Sequence, residues 1–233
     1  MPGISLPPGF TFRVEDLIEA EGGREAAYRQ LARSGMLSSV EFIDALHDDL
    51  DDAIEQLQNA APSFIHAAED SMSRSIVGFL VGRDYDAWSE VFLRGHVDIF
   101  VSNRRLKAKW NAEAKIHRTY DYGIEGMRQL LTRYASGAHR HGGFLLYVFQ
   151  RKALNIQKKW RKKIEGDTAS DSCATLRAED EKDWRFRTIH EHASGAEYTV
   201  RHHVVLMHFA PKDASGRANA TDYSDDEEID EES

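Results

Sequence analysis

The sequence predicts an α/β fold, with a central mixed sheet flanked by helices and preceded by a helical extension. Three observations predict it. Apolar residues recur at helical spacing as far as residue 80. From residue 88 the period changes to two, the mark of half-buried strands. Residues 143–149, GFLLYVF, then form a continuous apolar run, as expected of a strand covered on both faces. With 233 residues the chain can bury a core without disulfide or metal staples.

Taken in order, five of the first ten residues are Pro or Gly, so residues 1–11 should be irregular. Residues 13–21 and 24–35 read as short helices around Gly22-Gly23. Ser38 and Glu41 form a capping box, and Phe42, Leu46, Leu50, Ile54 and Leu57 follow on one stripe. That helix is expected to be acidic on its outer face. Pro62 suits the first turn of a helix over 62–80. SEVFLRGHVDIFV reads as a hairpin turning at Arg94-Gly95, and 109–116 as a third strand. Residues 123–136 read as a helix with Ile124, Met127, Leu131 and Tyr134 on its stripe. A very basic helix over 151–164, a loop over 165–182 and a last hairpin complete the pattern. The expected organisation is a helical extension (1–60), a core (61–210) and a disordered acidic tail (211–233).

Composition excludes several classes. No run approaches the ~20 apolar residues of a membrane span. The opening MPGISLPPGF lacks the basic and apolar regions of a secretion signal, so a cytoplasmic location is expected. One cysteine, Cys173, excludes a disulfide scaffold and a Cys-ligated zinc finger, and no base beside it suggests a nucleophile. Net charge is −9, yet residues 101–163 hold 16 Lys/Arg against 3 Asp/Glu. Such asymmetry points to nucleic acid as a partner. The competing reading is a basic face packed on acidic elements of the same chain. The tail TDYSDDEEIDEES serves solubility, or competes with nucleic acid for the basic region.

Four residues carry the chemistry. Asp98 sits mid-strand, on the face opposite Val97, Ile99 and Val101, where propensity disfavours a carboxylate. Glu113 and Lys115 project together from the next strand, with Ala112, Ala114 and Ile116 on its other face. The three share a face if the strands pair in register. Two such carboxylates suit Mg²⁺, which lowers the pKa of a bound water and neutralises phosphate charge. Lys115 can then orient the attacking water or stabilise the developing charge. Glu69 falls inside the stripe Ile65, Ala68, Met72 and Ile76 of the 62–80 helix. A carboxylate there needs a cation. Glu-x-Lys alone would more often be an ordinary ion pair; the joint arrangement is what singles it out.

Glu69 on a leading helix, Asp98 in GHVDIFV and Glu113-Ala114-Lys115 in WNAEAKI together resemble the PD-(D/E)XK, or restriction-endonuclease-like, nuclease superfamily. Its α-β-β-β-α-β order matches residues 62–149. Gln129 and Tyr134 resemble the Gln-and-Tyr motif of RecB-like members, with a spacing one residue longer. Val97 stands where the family has Pro. The resemblance implies that Asp98, Glu113 and the Ala114 carbonyl bind Mg²⁺ or Mn²⁺, that Glu69 completes the shell, and that Lys115 positions the water. It implies that Gln129 and Tyr134 support Lys115 or contact substrate. The implied reaction is hydrolysis of phosphodiester bonds, with DNA the favoured substrate and bacterial restriction or antiphage defence the implied setting. A homodimer or a partner protein of a defence system fits that setting.

The basic helix adds Arg151, Lys152, Lys158, Lys159, Arg161 and Lys162 as phosphate-binding candidates, against the plainer reading of a solvated helix with Leu154, Ile156, Trp160 and Ile164 partly buried. His139, His141, His190, His192, His202 and His203 fit no strong zinc spacing and are expected to be structural or on the surface. Two other classes stay open: an inactive nucleic-acid-binding or regulatory module on the same fold, and a protein-interaction subunit acting through its acidic segments.

Overall fold

The computed structural model describes residues 13–92, 95–134, 139–166, 175–180 and 184–211. The elements run α1 (Val14–Ala20), α2 (Arg24–Arg33), α3 (Ser39–Asn59), a 3-10 turn (Ala61–Phe64), α4 (Glu69–Gly82), β1 (Asp86–Phe92), β2 (His96–Asn103) and β3 (Ala108–Ile116). They continue with α5 (Tyr120–Gln129), a π turn (Leu130–Tyr134), β4 (His141–Val148), α6 (Ala153–Gly166), β5 (Thr175–Asp180), β6 (Arg185–Glu191) and β7 (Glu197–Leu206). The strands form one seven-stranded mixed sheet in the order β1-β2-β3-β4-β7-β6-β5. The class is α/β, as the periodicity predicts.

The parallel pairs β3–β4 and β4–β7 sit in the middle, and the outer pairs are antiparallel. A central parallel strand is buried on both faces, which explains the uninterrupted apolar run of β4. One core holds Phe42, Leu46 and Leu50 of α3 and Met72, Ile76 and Leu80 of α4, packed on Ile99, Val101, Ala112, Ala114, Leu145 and Tyr147 of the sheet. The other holds Ile124 and Met127 of α5 and Trp160 and Ile164 of α6, packed on Phe144, Leu146, Phe186 and Val200. Gly143 is small because Trp110 fills the space its Cβ would take.

The capping box opens α3 as expected: Ser38 N–H donates to Glu41 at 2.7 Å and Glu41 N–H donates to Ser38 Oγ at 3.4 Å. The acidic residues of α3 do not all face outward, however. Asp49 is fully buried and accepts from Arg33 (2.6 and 2.7 Å), Arg83 (2.7 Å) and the Tyr85 hydroxyl (2.7 Å), tying α2 and α3 to the turn that joins α4 to β1. Asp51 accepts from Arg185 of β6 and from Arg201 of β7. Part of the acid excess of the N-terminal segment is therefore spent on internal arginines.

Three further expectations are corrected. The 62–80 helix is two pieces: after the 3-10 turn the chain bends, and α4 begins only at Glu69, whose carboxylate and that of Asp70 suit a helix N-terminus. Ile65 and Ala68 are therefore not on a core-facing helical stripe, and Ala68 is exposed. The stretch 165–182, expected as a loop, contains edge strand β5, held by pairing with β6 rather than by its own polar sequence. In α6, which starts two residues later than expected, Leu154 is exposed while Trp160 and Ile164 are fully buried. The Arg94 side of the hairpin turn, Cys173, residues 1–12 and residues 212–233 lie outside the described residues.

Candidate active site

Strands β2 and β3 pair from Asn103/Ala108 to Ile99/Ala112 and then part. Beyond that point β2 stays with β1 and β3 stays with β4. The parting leaves main-chain groups of β3 without a strand partner on the β2 side, and such buried groups must be satisfied otherwise. Two carboxylates do so. Asp98 Oδ2 accepts from Ala114 N–H at 2.7 Å, and Glu69 Oε1 accepts from Ile116 N–H at 2.8 Å. The Ala114 carbonyl points to the same open edge as its N–H, by strand geometry.

The hydrophobic alternation of β2 changes at this point. Ile99 and Val101 pack in the first core, whereas Val97 packs in the second. Asp98 stands at the changeover, and its carboxylate turns into the gap beside Glu113. The expectation that Val97 shares a face with Ile99 and Val101 fails for this reason.

Glu113 is 2 % exposed and lies 2.7 Å from the Lys115 ammonium, through Oε1. Its other oxygen, Oε2, is buried with no hydrogen-bond partner. Lys115 Nζ also lies 3.8 Å from Glu69 Oε2 and 5.6 Å from the centre of the Tyr122 ring. The Lys115 stem packs on α5 at Gly126, where an added Cβ would stand 3.1 Å from Lys115 Cγ and Cε. Tyr122 donates its hydroxyl to Glu69 Oε1 at 3.2 Å, and the Arg118 guanidinium lies 5.5 Å from the same ring.

Three carboxylates face one ammonium, so the gap is short of positive charge. Burial pushes the Asp98 carboxyl up to about 6, opposed by the Ala114 N–H and Lys115. Burial, and then the charge of Asp98, push Glu113 up to about 7. Burial would lower the Lys115 ammonium, but Glu113, Asp98 and Glu69 outweigh it and push it up, so Lys115 is a cation at neutral pH.

The residues present fit a hard divalent cation. Glu113 Oε2 is an orphaned buried acceptor, Asp98 lies beside it, and each carboxylate resists losing its proton without a counter-charge. Among the described residues no three His, Cys, Asp or Glu side chains form a ready-made metal cage. Two carboxylates completed by waters and substrate oxygens is the pattern of Mg²⁺ rather than of structural zinc. Glu69 is already engaged by Ile116 N–H and Tyr122, which makes it a brace for the open edge and for Lys115.

The other candidates are distributed as follows. Tyr134 is buried, donates its hydroxyl to the His96 carbonyl and is held by Asn111 Nδ2, which donates to the Tyr134 carbonyl at 3.0 Å. It thus fixes the start of β2 rather than Lys115. Gln129 ends α5 half-buried, and no hydrogen bond joins it to Lys115 among the described residues. Lys158, Lys159 and Lys162 are exposed on α6. Arg161 pairs with Glu165 at 2.9 Å, and Arg151 and Lys152 precede the helix. Trp160 of α6 stacks on Phe144, which also lies against Gly126 beside Lys115, so α6 and the gap share one wall. Reading the sequence missed Tyr122 and Asn111. Their signal was position: Tyr122 opens the helix that follows the Glu-x-Lys strand, and Asn111 shares the Glu113 face of β3.

His190 and His202 are buried, each with Nε2 2.7 Å from the Thr188 hydroxyl, a structural arrangement as expected for these histidines. No helix among the described residues is long and apolar enough to cross a membrane. Comparison with known proteins matches the chain to no family model, no curated relative and no solved structure.

Proposed function

We propose that this chain is a metal-dependent nuclease of the restriction-endonuclease-like type, hydrolysing phosphodiester bonds in DNA. The observation that carries the reading is the gap between β2 and β3, where Asp98, Glu113 and Lys115 meet at an open strand edge. Asp98, the free oxygen of Glu113 and the Ala114 carbonyl would hold Mg²⁺ or Mn²⁺. The bound ion would supply charge neutralisation at the phosphate and a water more easily deprotonated. Lys115, held cationic by its neighbours, orients the attacking water and donates hydrogen bonds to the phosphate oxygens as negative charge grows. Glu69 and Tyr122 hold Lys115 and the edge of β3 in place. Lys158, Lys159 and Lys162 grip the phosphates of the flanking backbone. Activity in defence against foreign DNA suits such an enzyme, acting alone, as a homodimer or with a partner protein.

Nicking of supercoiled plasmid tests the proposal, with Mg²⁺, Mn²⁺ or EDTA and with wild type beside Asp98→Ala and Lys115→Ala. Metal-dependent nicking absent from both variants is the expected result. Salt-sensitive DNA retention without nicking, unchanged by either variant, would move the assignment to a binding module.

A further inference from the structure

Of the four tryptophans, Trp110 and Trp160 are fully buried and Trp184 is half-buried. Trp88 stands in water, 52 % exposed, on β1 at the edge of the sheet. An indole is highly buried in most folds. This one is exposed and yet held in place. Its Nε1–H donates to Asp86 Oδ1 at 3.1 Å, and Asp86 Oδ2 accepts from the Ser102 hydroxyl at 2.8 Å. The ring is an apolar face with a fixed orientation, offered to solvent.

The strand register puts that ring beside the candidate active site. Trp88 stands directly opposite Phe100 of β2, and Phe100 directly opposite Asn111 of β3. Residues paired in this way share a face of the sheet. Phe100 packs against the second core, on the side from which Glu113 projects beside Phe144. Asn111 lies two residues before Glu113 on that face. Trp88 is also a diagonal neighbour of Asp98 across the β1–β2 ladder, a separation of roughly 7–8 Å. A stacked DNA strand advances ~3.4 Å per nucleotide, so the ring lies about two nucleotides or fewer from a phosphate held at the gap.

Beyond the ring the same face turns cationic. Lys109 stands opposite Ser102 and is exposed, and the turn from β2 to β3 adds exposed Arg105 and Lys107. The acids of β1 are already engaged: Asp86 by Trp88, Ser102 and, at 3.6 Å, Arg104, and Glu90 by Arg74 at 2.9 Å. Cations, an ordered ring and the carboxylates of the gap therefore follow one another along one face. A cationic track for the backbone with aromatic rings for the bases is how single-stranded nucleic acid is held without regard to sequence. A base inside an intact duplex is stacked on both sides and cannot reach such a ring.

We propose, on the nuclease reading of the gap, that Trp88 stacks on an unpaired base next to the phosphate held there, so that single-stranded DNA is the preferred substrate. Lys107 and Lys109 meet the phosphates on the far side of that base. Every base has a face to stack, so the contact is tolerant of sequence.

Fluorescence anisotropy in EDTA, where nothing is cleaved, tests the platform with a labelled oligothymidylate and a labelled blunt duplex of equal length. Wild type is compared with Trp88→Ala, Trp88→Leu and Trp88→Phe. Trp88 belongs to neither core, so all three variants keep the fold. The single strand should bind more tightly than the duplex. Trp88→Ala and Trp88→Leu should each weaken single-strand binding by roughly 5–150-fold, and Trp88→Phe, which keeps a ring, should retain most of it. Duplex binding should not change. Single-strand affinity indifferent to Trp88→Ala would overturn the proposal. So would equal losses on single strand and duplex, a Leu variant that binds like wild type, or no single-strand binding by wild type. Plasmid nicking together with any of these results would sink the platform and leave the nuclease. Trp88-dependent single-strand binding without metal-dependent nicking would keep the platform and sink the nuclease.

Discussion

Replacing Asp98 by Asn should make the metal-free protein more stable at neutral pH. The carboxyl is held at about 6 in the folded chain against an ordinary 3.8. Because the folded value is the higher, the folded state prefers the protonated form. Below the ordinary value the group costs nothing; the cost grows as pH rises between the two and is complete above the folded value. A rise of that size corresponds to roughly 3 kcal/mol at pH 8. The polarity of the gap and the partial exposure of Asp98 reduce what is measured to about 1–2 kcal/mol. Asn keeps an oxygen to accept from Ala114 N–H, so the open edge of β3 stays satisfied. For a chain of this length, the gain corresponds to a rise in Tm of about 2–8 °C. Urea unfolding followed by tryptophan fluorescence, in EDTA at pH 4.5 and pH 8, measures it. The stabilisation should be large at pH 8 and shrink at pH 4.5. Saturating Mg²⁺ should stabilise wild type, by about 2.7 kcal/mol at a hundredfold excess over its Kd, and leave Asp98→Asn behind. A variant less stable than wild type at pH 8, or a difference that does not change with pH, would refute the reasoning.

The remaining predictions concern the scaffold and the substrate grip. Asp49→Ala strands Arg33, Arg83 and Tyr85 around a fully buried position and should cost about 3–5 kcal/mol, read by urea unfolding. Gly126→Ala places a methyl 3.1 Å from Lys115 and from Phe144, and should lower a cleavage rate tenfold or more while costing less than about 3 kcal/mol in unfolding. The triple variant Lys158→Ala, Lys159→Ala, Lys162→Ala should weaken DNA binding at low salt and flatten the log–log salt dependence by about 3 in slope, measured by fluorescence anisotropy.

The geometry explains which parts of the fold and site could be read from the chain. Glu113 and Lys115 were legible because a strand alternates its faces, so charged residues opposite Ala112 and Ala114 had to project together; Asp98 stood out as a carboxylate in mid-strand, although the alternation of β2 breaks there. Glu69 was singled out for a reason the structure does not support. It is the first residue of α4 rather than a member of a buried stripe, and it reaches the site because the helix starts beside the open edge of β3. Tyr122 was overlooked because the helix start at Thr119 was placed too late, so the residue was assigned to a connection. Strand β5 was overlooked because TLRAED has no strand periodicity and is ordered by β6. The parting of β2 from β3 left no trace in local pattern, since strand splay depends on which neighbour each strand follows. The acid partners of internal arginines, Asp49 and Asp51, were hidden for a similar reason: on a helix wheel they read as an outer face, and only the packing of α2 and the sheet turns them inward.

The central claim is that Lys115 and the Asp98–Glu113 pair perform phosphodiester hydrolysis at the gap between β2 and β3. Its most direct test is the single-turnover rate constant for cleavage of a labelled duplex in Mg²⁺, comparing wild type with Lys115→Met and Asp98→Asn at equal DNA occupancy. Both variants should bind the duplex as wild type does and cleave it at least ~100-fold more slowly. Cleavage at the wild-type rate by either folded variant would contradict the claim.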